Sequence, residues 1–296
     1  MLMYAVTGVT GKVGGELART LVAAGRSVRA VVRDAKKGQA WAERGCEIAL
    51  ADMGDASALA RAFGGATAVF VLPPPEFDPK PGYPEARAVI RSVVDALKAA
   101  SPGRVLCLST IGADAQQDNL LSQRTLLEEA LGQLSIPLTI LRPAWFLDNA
   151  AWDVNSARET GTIHSFLQPT HRRLAMVAAR DVGHVAAELI QQDWTGTRVV
   201  ELEGPSRVSP DDLATAFTRA LGHPVRAVAV PHESWEALFR SQGMRNPEPR
   251  VRMLDGFNEG WIDFQDGGRR AIKGSTSAAE LIAEIVGRAE AADRLV

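Results

Sequence analysis

The chain has 296 residues, of which 46% are hydrophobic and 23% are charged, and its formal net charge at pH 7 is −2. This near-neutral, ordinary globular composition predicts no nucleic-acid partner, because a nucleic-acid-binding face needs an excess of Lys and Arg. No apolar stretch reaches membrane-spanning length, so no membrane partner is expected, and two cysteines are too few for a disulfide framework or a zinc site.

Short β-branched runs alternate with longer amphipathic segments in the first half of the chain. This alternation predicts an α/β fold, a Rossmann-type doubly wound parallel sheet with helices on both faces. Gly25 and Gly45 are expected to end the first two helices. The predicted strands cover residues 3–6, 27–32, 47–50, 67–72, 104–108 and 138–141, and the predicted helices cover 12–24, 36–44, 56–63, 83–100 and 120–134.

The alternation loosens after Pro143, where helical and loop segments mix. One further strand is predicted at 198–202 and a terminal helix at 277–292. Because prolines and aromatic residues crowd the region 205–265, we expect a smaller lobe there. The predicted organisation is a Rossmann domain over 1–150 and a smaller, substrate-side C-terminal lobe over 151–296, interleaved with a returning sheet segment near 176–203.

The sharpest motif is a glycine-rich turn, GVTGKVG, between the first predicted strand and the first predicted helix. Gly8 permits a tight turn, Gly11 lets the backbone approach a pyrophosphate, and Gly14 lets the helix pack close to the strand. The start of the helix offers free amides and a partial positive charge to phosphates. The turn therefore predicts a dinucleotide site, with Gly8, Thr10, Gly11, Lys12, Val13 and Gly14 as its expected contacts.

The end of the second predicted strand indicates which dinucleotide binds. Proteins that bind NAD place an acidic residue there, which accepts hydrogen bonds from the ribose 2′-OH. This chain has Arg33 at that place, and a guanidinium suits a 2′-phosphate. Lys36 and Lys37 add positive charge nearby. Asp34 is either that acid, one position late, or the cap of the next helix, which we favour, so the predicted cofactor is NADP(H).

Two further strand ends are expected beside the cofactor, because the carboxyl ends of parallel strands line the ligand crevice. Asp52 is placed to reach the adenine amino group, and Met53 to pack on the adenine ring. The alternative for Asp52 or Asp55 is a cap of the following helix. Leu72 and Pro73, at the end of the fourth strand, lie on the expected cofactor path.

Four segments carry a resemblance to a known family: the glycine turn with Arg33, Leu108–Ala113 (LSTIGA), Leu138–Asn149 (LTILRPAWFLDN) and Ala179–Gly183 (ARDVG). Together they resemble the NmrA-like family of atypical short-chain dehydrogenase/reductases over most of the chain. The resemblance implies an NADP(H)-binding Rossmann fold, with Asp181 capping a helix of the returning segment. The family contains NADPH-dependent reductases of quinone-like, azo-like or imine-like acceptors as well as redox-sensing regulators.

The expected catalytic residues depart from the short-chain dehydrogenase pattern of Ser, Tyr and Lys. Ser109 fits the serine at the end of the fifth strand, but Arg124 and Glu128 occupy the tyrosine and lysine places on the next helix. Their i, i+4 spacing puts them on one helix face. Ser109, Arg124 and Glu128 are therefore the catalytic candidates, and the alternative for the last two is a surface ion pair.

Without that tyrosine, reversible alcohol–ketone chemistry is disfavoured. Hydride transfer to a quinone, enone, azo or imine acceptor remains open, because solvent or another side chain can supply the proton. Pro143, Trp145 and Phe146 follow the sixth strand and are expected near the nicotinamide. Trp145, Phe146 and Trp152 are candidates for an apolar wall against a flat substrate. Their alternative role is core packing between the lobes.

Three functions compete at this point. The first is an NADPH-dependent oxidoreductase that transfers a hydride to a small, flat, electron-poor acceptor. The second is a non-catalytic NADP(H) sensor that acts through a protein partner, and the third is an isomerase or epimerase. Cys46 and Cys107 are expected to be buried free thiols, and a fold that starts before Gly8 leaves no signal peptide, so a cytoplasmic location is expected.

Overall fold

The structure is a computed structural model that describes residues 2–293; Met1 and residues 294–296, the outer limits of the two predicted domains, lie outside the described range. The strands are β1 (Met3–Thr7), β2 (Ser27–Val32), β3 (Glu47–Leu50), β4 (Ala68–Val71), β5 (Val105–Leu108), β6 (Leu138–Pro143), β7 (Trp145–Phe146), β8 (Thr162–Ser165), β9 (Met176–Val177), β10 (Thr197–Glu203), β11 (Arg226–Ala229) and β12 (Ile272–Lys273).

The helices are α1 (Lys12–Ala23), α2 (Ala35–Ala42), α3 (Ala56–Phe63), α4 (Pro84–Ala100), α5 (Ser122–Gly132), α6 (Val154–Thr160), α7 (Ala179–Ile190), α8 (Pro210–Leu221), α9 (Trp235–Ser241), α10 (Glu248–Glu259) and α11 (Ala278–Asp293). Two 3₁₀ helices cover Leu147–Asp153 and His232–Ser234.

The main sheet has eight strands in the order β12-β10-β6-β5-β4-β1-β2-β3. The pairs from β3 to β6 along this order are parallel. The chain adds β2 and β3 on one side of β1 and then returns to place β4 on the other side. In sheets of this kind, ligands bind outside the carboxyl ends of the strands at this point of reversal. The predicted α/β, Rossmann-type doubly wound sheet is confirmed.

The central strands are buried on both faces. Val69 and Val71 of β4 belong to an apolar cluster that includes Phe63 of α3 and Leu97 of α4. The intervening residue, Phe70, is also buried. Since side chains alternate across a strand, both faces of β4 are covered. Burial of each large apolar side chain stabilises the fold by roughly 1.5–3 kcal/mol.

The chain divides into two compact units. The first comprises the described residues up to Asp114, with Leu120–Pro143 and Val182–Val200. The second comprises Ala115–Asn119, Ala144–Asp181 and the described residues from Glu201 onward. The assignment of 151–296 to a substrate-side lobe remains a prediction.

The second unit contains two small parallel sheets, β8 with β11 and β7 with β9, which the sequence analysis did not predict. It also missed α6, α8, α9, α10 and the short strand β12. One of these had a local signal. Ser209 caps α8 in a capping box with Asp212, and Pro210 occupies the first turn.

The expected helix cap at Asp181 is wrong. Asp181 lies in the first turn of α7, and its carboxylate accepts hydrogen bonds from the amide and the hydroxyl of Thr276 at 2.9 and 2.8 Å. The first amide of α7, that of Ala179, donates instead to the carboxylate of Asp148 at 2.7 Å. Asp181 therefore fixes the segment that precedes α11 rather than the start of its own helix.

Cys46 and Cys107 are both buried and both free, as predicted. Cys107 lies in β5 with no exposed surface, whereas Cys46 precedes the edge strand β3. None of the described helices combines the length and the apolar character needed to cross a lipid bilayer.

Candidate functional site

The glycine turn has the geometry that its sequence predicted. Gly8 adopts a φ of +69°, a left-handed conformation that favours glycine, and its carbonyl accepts a hydrogen bond from the Gly11 amide at 2.9 Å. A Cβ on Gly14 would collide with the Gly8 carbonyl and approach the Thr7 carbonyl oxygen to 2.9 Å. The absence of a side chain at Gly14 therefore lets α1 begin directly against the end of β1.

The N-terminus of α1 is open to an anion. No described side chain caps it, and its first turn holds no acidic residue. Thr10, Gly11 and Lys12 are exposed around the turn, whereas the side chain of Val13 is buried and leaves only its amide for a ligand. Uncapped amides with the positive end of the helix dipole suit a phosphate group.

A pocket of about 270 Å³ adjoins this turn at the end of β2, lined by Thr10, Val32, Arg33, Asp34 and Lys37. Arg33 and Lys37 are exposed, and within the described part of the chain neither forms an ion pair. The pocket therefore has two cations against one carboxylate, Asp34, beside an uncapped helix start, and this balance favours an anion. This geometry fits the phosphate expected at Arg33.

Asp34 is the N-cap of α2, as predicted. Its side chain accepts a hydrogen bond from the Lys36 amide at 2.8 Å. A carboxylate held by the backbone in this way stabilises the helix start. One oxygen of the acidic residue that follows Arg33 is therefore used to cap the helix.

The ends of β1 and β4 are joined by the Thr7 side chain. Its hydroxyl donates to the Phe70 carbonyl at 3.0 Å and accepts from the Leu72 amide at 2.8 Å. The Leu72 side chain lies over Gly8, where an added Cβ would approach its Cδ2 to 3.0 Å. Leu72 and the buried Pro73 are thus placed beside the glycine turn, and their contact with a cofactor stays a prediction.

At the end of β3, the cap of α3 is Asp55, which accepts from the Ala58 amide at 2.9 Å. Asp52 closes a local turn by accepting from the Gly54 amide at 2.8 Å and is exposed. Met53 is half-buried against the core cluster of α3 and α4. The proposed adenine contacts of Asp52 and Met53 remain predictions.

Two of the catalytic candidates meet in a buried polar network. The Ser109 hydroxyl, after β5, donates to the Glu128 carboxylate on α5. Arg142, in β6, donates to both oxygens of that carboxylate, from Nε at 3.0 Å and from Nη2 at 2.6 Å. The third Arg142 nitrogen, Nη1, donates to Asp114 at 2.8 Å. All these groups except Asp114 are buried, so this network holds the ends of β5 and β6 to α5.

The two carboxylates of the network stabilise the positive charge of Arg142. Burial opposes the charged form of Arg142, but the hydrogen bonds and the negative charges of Glu128 and Asp114 outweigh it and raise the pKa of Arg142. The sequence analysis missed Arg142 and Asp114 as members of this network. A signal was present, because an arginine that ends the apolar run Leu138–Leu141 needs a buried anionic partner.

Arg124 and Glu128 do not form the surface ion pair that was the alternative interpretation. Glu128 turns to Arg142, and Arg124 donates from Nη2 to the Pro73 carbonyl at 3.1 Å. Within the described part of the chain, Arg124 has no carboxylate partner. Arg124 is therefore a cation at the carboxyl end of β4, on the same sheet edge as the glycine turn.

The aromatic segment after β6 belongs to the second unit. Trp145 and Phe146 are half-buried in β7, and the Trp145 ring packs edge-to-face on Phe257 with centroids 5.1 Å apart. Trp152 is 74% exposed, so it adds little to an enclosed wall. Pro143, which ends β6, is buried, and its carbonyl accepts a hydrogen bond from the Ile111 amide at 2.8 Å.

Comparisons with known proteins agree with this geometry. The model of the NmrA-like family matches residues 3–259. The chain is 29% identical over 260 residues to the NAD(P)H azoreductase of Xenophilus azovorans, an alignment that covers 87% of this chain and 85% of that protein. It is 27% identical over 254 residues to quinone oxidoreductase 2 of Escherichia coli (strain K12), with 85% of each chain covered.

Among solved structures, a similar one is the Escherichia coli NADPH-dependent quinone oxidoreductase in complex with NADPH. The two structures superpose with a TM-score of 0.79 and 25% sequence identity, over 96% of this chain and 99% of that chain.

Proposed function

This chain belongs to the NmrA-like family, and we propose that it is an NADPH-dependent reductase that transfers a hydride to a small, flat, electron-poor acceptor of the quinone, azo or imine type. The observation that carries the proposal is the uncapped glycine turn beside a pocket lined by Arg33 and Lys37. The relatives named as azoreductase and quinone oxidoreductase support the same class of reaction.

The cofactor is NADP(H), and different residues of the chain bind different parts of it. The amides at the start of α1 bind the pyrophosphate, and Gly11 admits its close approach. Arg33 and Lys37 bind the 2′-phosphate, since Asp34 is committed to capping α2. Asp52, Met53, Leu72 and Pro73 line the remaining path along the strand ends. When bound, the reduced nicotinamide supplies the hydride.

The polar network at the ends of β5 and β6 positions the reacting groups. Ser109 lies at the strand end that faces the nicotinamide in the proposed site, and Glu128 with Arg142 fixes its hydroxyl. Helix α5 contains neither tyrosine nor lysine, so no phenol of this helix donates a proton. In this proposal the proton that completes the reduction comes from water, and the protein contributes orientation and electrostatics.

The acceptor binds against Trp145 and Phe146 in this proposal. Phe257 holds the Trp145 ring at 89° to its own plane and leaves part of the indole accessible. A flat aromatic acceptor gains apolar contact with such a ring. Pro143, which ends β6, stays an expected cofactor contact.

The second candidate function is a non-catalytic NADP(H) sensor that acts through a protein partner. Two observations favour it: α5 lacks a tyrosine, and the Ser109 and Glu128 side chains are already engaged with one another and with Arg142. A sensor needs the same dinucleotide pocket but no acceptor site.

One experiment separates the two functions. The protein is mixed with NADPH and a panel of quinones, azo dyes and imines, and the absorbance of the reduced nicotinamide is followed. Turnover of any acceptor supports the reductase, whereas tight NADPH binding without turnover across the panel supports the sensor. Gly14→Ala serves as the control: once NADPH titration shows that this variant no longer binds the dinucleotide, any activity that survives in it comes from a contaminant.

A further inference from the structure

Arg124 lies at the carboxyl end of β4, after which Leu72 and Pro73 follow. Its Nη2 donates to the carbonyl of Pro73, directly after the residue whose side chain covers Gly8. Cys107 of the neighbouring strand β5 is close enough to influence the pKa of Arg124. Strands β1, β4 and β5 are adjacent in the sheet, so the guanidinium lies at the carboxyl edge, beside the glycine turn.

The positive charge of Arg124 has no compensation there. Within the described part of the chain no carboxylate pairs with it, and Glu128, one turn later, is engaged by Arg142 and Ser109. Cys107 offers no negative charge, because burial raises the pKa of its thiol to about 12. One carbonyl oxygen satisfies a single N–H of the guanidinium, which has five such donors.

Arg124 is largely surrounded by protein but is not fully buried. Burial lowers the pKa of Arg124, yet the residue keeps part of its surface open to solvent. Proteins pair a charge held in such surroundings, since leaving it alone is costly. A guanidinium with no carboxylate partner in the described structure is therefore suited to an anion that a ligand provides.

We infer that Arg124 sets the charge of the acceptor: this reductase takes neutral conjugated carbonyl compounds of the quinone type and excludes cationic acceptors. The inference rests on the proposed reductase function and narrows its substrate class. Hydride addition to a neutral quinone delivers two electrons and one proton and leaves a hydroquinone monoanion, while the nicotinamide becomes oxidised. A second proton from water then gives the hydroquinone.

The guanidinium acts on the negative charge that develops in this step. A fixed donor aimed at a developing oxyanion lowers the barrier, and the effect is larger where water is partly excluded. The effect of Arg124 on a cationic dye or iminium is the opposite. The positive charge of such an acceptor is repelled by Arg124 on binding, and hydride transfer neutralises that charge, so no negative charge develops for Arg124 to stabilise. Arg124 therefore disfavours that class both in binding and in the chemical step.

The test compares wild type with Arg124→Gln on two acceptors of similar size, a neutral naphthoquinone and a cationic triarylmethane dye, at saturating NADPH. Loss of one charge-assisted hydrogen bond corresponds to about 10- to 100-fold. We expect kcat/KM for the quinone to fall by that factor, and kcat/KM for the dye to stay level or rise. Arg124→Lys is expected to recover part of the quinone activity. Arg91→Gln, an exposed arginine of α4, is the matched control.

A second measurement does not depend on turnover. Wild type and Arg124→Gln, each saturated with NADP⁺, are titrated with naphthalene sulfonate and with neutral methoxynaphthalene in a calorimeter. The sulfonate is expected to bind Arg124→Gln about tenfold or more weakly, with no change for the neutral probe. Equal affinity of the sulfonate for both proteins overturns the inference.

The outcomes separate the inference from the proposed function. If wild type reduces the quinone and the dye equally well and Arg124→Gln leaves that ratio unchanged, the reductase stands and the inference fails. If Arg124→Gln loses NADPH affinity by the same factor as quinone activity, Arg124 serves the cofactor and the inference fails. If wild type reduces no acceptor of any charge, the proposed reductase function is what fails.

Discussion

Glu128 accepts two hydrogen bonds from the guanidinium of Arg142 in a buried, bidentate ion pair. In the part of the chain that the structure describes, the side chain of Arg124, one turn earlier on the same helix, bonds to the carbonyl of Pro73 and to no carboxylate. Glu128 and Arg124 therefore have different roles: Glu128 fastens α5 to the ends of two strands, and Arg124 remains available to a ligand.

Replacement of Glu128 by Gln is expected to destabilise the protein by about 3–5 kcal/mol. The variant keeps the shape of the side chain but leaves the buried charge of Arg142 with Asp114 as its sole carboxylate partner in the described structure. Breaking one side of a buried ion pair costs this much because the remaining charge stays desolvated. The free energy of unfolding in urea measures the loss.

Ser109→Ala is the matched control, because it removes a hydrogen bond to the same carboxylate but no charge. We expect a loss of about 1 kcal/mol for it. Equal losses for the two variants would show that the charge of Glu128 contributes little to the stability of this network.

Gly14→Ala is expected to abolish NADPH binding and to lower stability. The added Cβ collides with the Gly8 carbonyl and comes within 2.9 Å of the Thr7 carbonyl oxygen, so α1 must move away from the turn. Gly132→Ala is the control, because that glycine is exposed at the end of α5 with no atom near its would-be Cβ. Alanine there is expected to stabilise by up to about 1 kcal/mol. NADPH titration by fluorescence and thermal melting measure both effects, and unchanged NADPH affinity in Gly14→Ala contradicts the assigned turn.

Arg33→Ala is expected to weaken NADPH binding by about 1.5–3 kcal/mol and to leave NADH binding nearly unchanged. The difference between the two dinucleotides is the 2′-phosphate, and a hydrogen bond between charged groups contributes this amount. Arg61→Ala, an exposed arginine of α3 outside the pocket, is the control. Equal losses for NADPH and NADH in Arg33→Ala refute the contact with the extra phosphate.

Asp153 makes the stability of the protein depend on pH. Burial raises the pKa of Asp153 to about 6, above its usual value of 3.8, so the folded state prefers the neutral carboxyl. Ionisation of Asp153 therefore destabilises the folded state increasingly as the pH rises from about 4 to 6. Above pH 6 this loss of folding free energy is constant, at about 3 kcal/mol or less.

We therefore expect Asp153→Asn to raise the melting temperature at pH 8 and to lose most of this advantage near pH 4. Glu159→Gln, an exposed change on α6, is the control and should show no such trend. A melting-temperature difference between Asp153→Asn and wild type that is constant with pH would mean that Asp153 ionises normally in the folded protein.

The parts of this fold that were predicted from sequence are those whose structure is determined by residues close together in the chain. The buried strands of the first half, such as β4, stand out because continuous apolar runs are needed where both faces are covered. The glycine turn and the Asp34 cap are likewise local, since each depends on a few neighbouring residues.

The missed parts have causes that lie elsewhere in the chain. Strands β7 and β9 have two residues each, too short for an alternating pattern, and β11 is half-exposed along its length. In the candidate site, the i, i+4 spacing suggested that Glu128 pairs with Arg124. The observed partner of Glu128 is Arg142, which lies in a strand. The buried ion pair between these two residues replaces the pairing that the spacing along the helix suggested.

The two buried cysteines allow local opening of the sheet to be measured by thiol labelling. Only a thiolate reacts with an alkylating reagent, and burial raises the pKa of both Cys46 and Cys107. Labelling of each thiol therefore waits for a local opening of the surrounding structure. Cys107 reports on the middle of the eight-stranded sheet and Cys46 on its β3 margin, so their relative labelling rates rank the two regions by opening free energy, with and without dinucleotide.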